Sequence, residues 1–203
     1  MNTNDISEHY KNLLAQHGDS PQAVQYSSHI SQERRFELLS SIGDLQHKRI
    51  LDFGCGTGQL GNYLTKQGIN FEYFGTDIVS EFLTLCRSKF PEGHFEEFST
   101  LSHLKFDYIF ISGVFNNLRD DNQLFYQDTL RKLFSMCSLG LSFNMMSTYV
   151  DYKDPSLFYE HPEKVFSFLK REITPYVTLR NDYEVKRGVV PFDFTIYAFQ
   201  HGQ

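Results

Sequence analysis

The sequence predicts an α/β fold, a doubly wound and mostly parallel sheet with helices on both faces. Three observations carry that prediction. Residues 49–64 read as strand, glycine turn and helix in immediate succession. Residues 71–77 read as a second strand ending in an acid, Asp77, which follows Gly56 by 77 − 56 = 21 residues. Residues 106–113 are apolar almost throughout after Asp107, the mark of a strand covered on both faces.

The composition sets bounds on what such a fold can do. At 203 residues, 40 % hydrophobic and 22 % charged, the chain suits one globular domain with a sizeable core. No apolar run approaches the ~18 residues that suggest a transmembrane helix. The polar start, Met1 to Asp5, has none of a signal peptide's basic and apolar regions. Cys55, Cys86 and Cys137 are few, odd in number and without metal-ligand spacing, which fits reduced thiols in a cytoplasm and predicts no metal site. A net charge of −6 disfavours sequence-independent binding to nucleic acid.

Taken in order, Ile6, Tyr10, Leu13, Leu14 and His17 share one helical face, with Gly18 to end it. Ser31 can cap a second helix carrying Phe36, Leu39 and Ile42. Arg49 to Phe53 form the first strand, with Asp52 at its mouth, and Gly54, Gly56 and Gly58 form a turn that lets backbone approach a ligand closely. Leu60, Tyr63 and Leu64 continue as a helix that Gly68 can close. After Asp77, Ser80 can cap a helix with Phe82, Leu85, Cys86 and Phe90 inward. His94 to Phe98 read as a short third strand, and residues 106–113 as the fourth. Tyr126, Leu130, Leu133, Phe134 and Cys137 then form a helical core stripe, and residues 140–147 a fifth strand. Thr148 to Pro155 form a polar and aromatic loop of the kind that carries specificity. His161-Pro162 opens another helix, with proline at its first position. Residues 176–180 and 194–199 look like a terminal pair of strands, joined by a charged loop from Asn181 to Pro191.

Two ligands compete for the glycine turn. Gly56 to Gly61 match the dinucleotide pattern G-x-G-x-x-G, which suits a nicotinamide oxidoreductase. Asp52 argues against it, because a carboxylate there opposes a pyrophosphate and welcomes a cationic ligand with an amino group. The run Asp52-Phe53-Gly54-Cys55-Gly56-Thr57-Gly58 resembles the first motif of class I S-adenosylmethionine-dependent methyltransferases, and the resemblance extends from about Tyr26 to the C-terminus.

That resemblance implies a Rossmann-like fold of seven strands in the order 3-2-1-4-5-7-6, with strand 7 antiparallel. It implies a helical lid over residues 1–45 and a core over 46–203. The cofactor is then S-adenosyl-L-methionine, with S-adenosyl-L-homocysteine as product. Its implied contacts are Tyr26, Arg35, Asp52, Gly54, Cys55, Gly56, Gly58, Asp77, Ile78, Phe98, Ser99, Ser112 and Gly113. Asp77 would accept both ribose hydroxyls. Phe98 and Ser99 would meet adenine, although Ser99 stands where relatives often carry Asp. Five of these residues also have a plain structural reading: loop packing for Tyr26, a solvated helix face for Arg35, a helix-flanking acid for Asp77, a strand end for Phe98 and Ser99.

Relatives that methylate base or amide nitrogen carry an Asn/Asp-Pro-Pro-Tyr/Phe motif after the fourth strand; here Ser112 to Asn117 occupy that place. A run similar to Asn144-Met145-x-Ser147-Thr148-Tyr149-Val150-Asp151 occurs in small bacterial methyltransferases of unassigned substrate. The expected function is methyl transfer by direct displacement to an oxygen or nitrogen of a small molecule, with no membrane or nucleic-acid partner. RNA or protein methylation and a non-catalytic cofactor-binding subunit are the alternatives. Tyr149, Asp151 and His161 are the candidate general bases, with lid contact or helix capping as their plainer roles.

Overall fold

The computed structural model describes residues 2–202. Helix α1 (Thr3–His17) begins with a capping box between Asn2 and Asp5 and stops at Gly18, as its periodicity predicts. A 3₁₀ turn at Pro21–Val24 leads to α2 (His29–Ser40). Ser28 caps α2, not Ser31: its hydroxyl accepts the Ser31 N–H at 3.2 Å, and Ser31 lies inside the helix.

The sheet then forms from β1 (Lys48–Phe53), β2 (Phe71–Thr76), β3 (His94–Phe95), β4 (Phe106–Ile111), β5 (Cys137–Met146), β6 (Val177–Arg180) and β7 (Asp193–Phe199). Its order is 3-2-1-4-5-7-6 and β7 alone runs antiparallel to its neighbours, as expected. The helices between strands are α3 (Gln59–Lys66), α4 (Ser80–Lys89), the one-turn α5 (Phe98–Leu101), α6 (Asn122–Met136) and α7 (Pro162–Glu172).

Alternation along the strands divides the core in two. Leu51, Ile109, Leu141 and Ile196 face α6 and α7, where Tyr126, Leu130, Leu133, Val165 and Leu169 pack. Ile50, Tyr108, Phe110 and Tyr197 face the other way, against Phe36 and Leu39 of α2 and Leu60 and Leu64 of α3. Such two-sided burial is why β4 reads as a continuous apolar run. Among the described residues no helix is long and apolar enough to cross a membrane.

Three local expectations need correction. The third strand pairs only over His94 and Phe95, and Phe98 to Leu101 turn into α5. Ser80 does not cap α4: its hydroxyl donates to Glu81, while Asp77 Oδ1 accepts the Val79 N–H at 3.0 Å. Cys137 belongs to β5, and Met136 completes the buried stripe of α6.

Candidate functional site

The carboxyl ends of β1, β2 and β4 open into a cavity of about 780 Å³, roofed by α1, the segment after it and α2. The glycine turn forms its floor. Gly54, Gly56 and Gly58 all have positive φ, at 78°, 50° and 73°. The N–H groups of Gly54 and Cys55 donate to the Thr76 carbonyl at 2.8 and 3.0 Å, which pins the turn to the end of β2. Gly56 N–H donates to Asp77 Oδ2 at 2.9 Å. One carboxylate therefore braces both the glycine turn and the start of α4. A Cβ on Gly56 would come within 2.6 Å of Val24, and one on Gly54 would strike Val114.

Two acids line the floor. Asp52 is 2 % exposed and accepts the Tyr73 hydroxyl at 2.8 Å. Burial raises its pKa to about 7, with Tyr73 opposing the rise and the charge of Asp77 adding to it. Burial also raises Asp77 to about 6, opposed by the N–H groups of Val79, Gly56 and Ile78. Ile78 is 53 % exposed where it borders the cavity, an unusual position for a large apolar side chain. Beyond it stand Ser99 and Phe98, whose ring meets Phe53 edge-on at 5.2 Å.

The other end is assembled from distant segments. Tyr26 and Ser112 share a hydrogen bond of 2.7 Å between hydroxyls. Gly113, with φ 75°, donates its N–H to Asn144 Oδ1 at 2.8 Å. Arg35 is 7 % exposed, not on a solvated face; its Nε donates to Asp193 Oδ2 at 2.6 Å. The rings of Tyr26 and Phe192 lie 5.2 and 5.4 Å from its guanidinium carbon. Overhead, Tyr10 of α1 donates to Gln25 Oε1 at 2.8 Å and accepts from Asn117 Nδ2 at 2.9 Å, with burial pushing its pKa up to about 12. Arg119 Nη2 donates to Thr3 Oγ1 at 3.1 Å, a second latch between α1 and the β4–α6 loop.

Twelve of the thirteen residues expected at the cofactor line this one cavity: Tyr26, Arg35, Asp52, Gly54, Cys55, Gly56, Asp77, Ile78, Phe98, Ser99, Ser112 and Gly113. Gly58 does not. It sits behind the turn as the left-handed N-cap of α3, where a Cβ would meet Phe90 at 2.9 Å and Cys86 at 3.0 Å. Its lack of a side chain serves the packing of α4.

The three candidate bases lie elsewhere, outside the cavity lining. Tyr149 is 59 % exposed and donates to Glu163 Oε1 at 2.9 Å. His161 is the N-cap residue of α7, but its ring bonds Thr148 Oγ1 at 3.0 Å and caps no helix N–H. Asp151 is exposed on the same loop. The loop after β5 is held at its root by Ser147 N–H bonded to Phe192 O and Thr148 N–H to Glu160 O, and the three residues beyond lie outside the cavity lining. Sequence reasoning passed over Tyr10 and Asp193. Tyr10 read as one member of an apolar stripe, and Asp193 precedes a run of apolar residues with nothing nearby to mark it.

Residues 51–135 match the family described as the methyltransferase domain. The provisionally named methyltransferase Rv1506c of Mycobacterium tuberculosis is 29 % identical over 155 residues, covering 72 % of this chain and 90 % of that protein. A 70-residue segment is 36 % identical to the non-reducing polyketide synthase ausA of Emericella nidulans, covering 32 % of this chain and only 3 % of the synthase. Among solved structures, magnesium protoporphyrin IX methyltransferase (ChlM) from Synechocystis PCC 6803 with bound SAH superposes with a TM-score of 0.64 at 13 % identity, over 85 % of this chain and 84 % of that one. A SAM-dependent methyltransferase from Archaeoglobus fulgidus gives 0.63 at 16 % identity, over 87 % and 96 %.

Proposed function

We propose that this chain, a class I S-adenosylmethionine-dependent methyltransferase, methylates an oxygen or nitrogen atom of a small-molecule acceptor by direct displacement. The observation that carries the reading is the cavity itself: one space collects the glycine turn, the acids Asp52 and Asp77 and a buried guanidinium under a helical roof. The residues fit the cofactor. Gly54 and Gly56 bring bare backbone to the cavity at positive φ, where a Cβ would strike Val114 or Val24. Asp77 has lone pairs left for ribose hydroxyls after accepting from Gly56 and Val79. Exposed Ile78 and half-buried Phe98 offer apolar surface to adenine, and Ser99 offers a hydroxyl. Asp52 faces the cationic part, and Arg35 the carboxylate of the methionyl group.

Bound there, the cofactor supplies a methyl carbon on a positively charged sulfur, released to the acceptor's electron pair as the carbon–sulfur bond breaks. The chain's own task is to hold the partners in line and keep water out. Positioning alone is worth ~7–11 kcal/mol of barrier in well-oriented systems. Ile6, Tyr10 and Val24 lie over part of the cavity, and that partial cover supports a small acceptor over RNA or protein. A cavity near 780 Å³ is large enough for a cofactor with a compact second ligand.

Transfer of labelled methyl from the cofactor into a cell extract, followed by size fractionation, tests the proposal. Label in the small-molecule fraction is the expected result. Label confined to the RNA or protein fraction reverses the choice of acceptor. Tight cofactor binding with no labelled product makes the chain a binding subunit.

A further inference from the structure

Arg35 is held by groups drawn from both ends of the chain. Its Nε donates to Asp193 Oδ2 at 2.6 Å and its Nη1 to the Ser31 carbonyl at 3.0 Å. Tyr26 and Phe192 flank the guanidinium plane. Among the described residues Nη2 has no hydrogen-bond acceptor, although Arg35 is 93 % buried and lines the cavity. A guanidinium presents its five donors in one rigid plane, so fixing one edge fixes the direction of the other. Ring contacts leave rotation within the plane open; the Ser31 carbonyl at Nη1 and the Asp193 carboxylate at Nε restrain it, and of these only Asp193 is charged.

Asp193 itself is 1 % exposed and does not line the cavity. Its place is set by the sheet: it is the first residue of β7, paired across the ladder with Met146, which does line the cavity. Asn181 Nδ2 donates to its carbonyl at 2.8 Å, which fixes the backbone before the strand.

We infer that Asp193 is a positioning residue: it turns the free Nη2 edge of Arg35 toward the carboxylate of the cofactor without touching the cofactor. The inference rests on the placement of the cofactor proposed above. Asp77 and Ile78 mark the ribose and adenine end, and Arg35 stands across the glycine turn from them, beside the Tyr26–Ser112 pair. A carboxylate meeting a buried fork forms charge-assisted bonds that depend on alignment. The reach of β7 into the site explains why an acid sits buried at its first position.

The test compares S-adenosylmethionine with its decarboxylated form by titration calorimetry on the full chain. Both ligands keep the sulfonium and the ammonium; only one has the carboxylate. The wild type is expected to prefer the carboxylated ligand by about tenfold or more, the effect of one strong charge-assisted contact. Asp193→Asn is expected to shrink that preference to about twofold by weakening only the carboxylated ligand, the outcome of a misaligned fork. Arg35→Lys should do the same, and the double variant should lose nothing further, because the two residues act as one unit. If Asp193→Asn does not fold, Asp193→Glu keeps the charge, displaces it, and should show the same reduced preference. Equal weakening of both ligands would mean a merely structural Asp193 and overturns the inference, as does an unchanged preference. A wild type that binds both ligands equally overturns it too. A wild type that binds neither overturns the cofactor placement itself, and the inference with it.

Discussion

The two ends of the cavity are built by different means. At the β1–β2 end the defining contacts are short in sequence: Gly56 to Asp77 and Tyr73 to Asp52 each span 21 residues, and Val79 to Asp77 spans two. At the other end Tyr26 reaches Ser112 across 86 residues, Tyr10 reaches Asn117 across 107, and Arg35 reaches Asp193 across 158. The first end is assembled by one strand–turn–helix unit and its neighbour. The second exists only when the helical roof has docked on the far half of the sheet. Substitutions at the first end should therefore remove binding outright, and those at the second should alter discrimination and closure.

The largest effect is expected at the turn. Gly56→Val puts a branched side chain at φ 50° and within 2.6 Å of Val24. Backbone strain of this kind costs about 1–3 kcal/mol, before the steric conflict with a ligand is added. Affinity for S-adenosylhomocysteine should fall at least about 100-fold, the equivalent of about 2.7 kcal/mol. A folded variant with wild-type affinity would mean that the turn does not approach the ligand.

Asp77→Ala comes next. It deprives Gly56 N–H and Val79 N–H of their acceptor, and an unsatisfied buried donor costs about 1–3 kcal/mol. A lowered melting temperature and a loss of affinity of more than about tenfold should appear together, as expected when a brace is also a ligand contact. Unchanged affinity in a folded protein rejects the ribose role.

This division also explains what was legible in the chain. The strands, the glycine turn and Asp77 could be read because their signals are local: apolar runs, closely spaced glycines and an acid at a fixed distance; the order of the strands followed only from the family resemblance. Arg35 could be named but not oriented, since the sequence of α2 does not show which face docks. Asp193 carried no signal at all, because its meaning comes from a partner 158 residues away. Gly58 shares the motif of Gly54 and Gly56 and their positive φ, yet it lies outside the cavity lining, packed against Phe90 and Cys86.

A smaller, graded effect should follow pH. Burial lifts Asp52 to about 7 and Asp77 to about 6, both above the ordinary 3.8. A raised carboxyl favours the folded state fully below its unfolded pKa, and that contribution is lost as pH rises through the folded value. Without ligand, the melting temperature of the wild type relative to Asp52→Asn should therefore fall between about pH 4 and pH 7. A cationic ligand favours the ionised acids, so its binding should release protons near pH 6–7 and tighten as pH rises through that range. Calorimetry in two buffers of different ionisation enthalpy measures this directly. A flat difference in melting temperature, with no proton release, would remove both acids from the electrostatics of the site.

The smallest effects are expected from the residues that looked most like catalysts. Tyr149, Asp151 and His161 lie on the β5–α7 loop, outside the cavity lining. The Tyr149 hydroxyl is spent on Glu163 and the His161 ring on Thr148. A base must come within hydrogen-bond reach of the proton it removes, directly or through one water. Tyr149→Phe, Asp151→Ala and His161→Ala should each leave kcat within about twofold, since general-base loss ordinarily costs 10²–10⁴. Surface substitutions of this type also move stability by only about 0.5 kcal/mol. A hundredfold fall in kcat for any one of them, at unchanged cofactor affinity, would mean that the β5–α7 loop swings over the acceptor during turnover. The far end of the cavity would then be completed by motion and not by the docked roof alone.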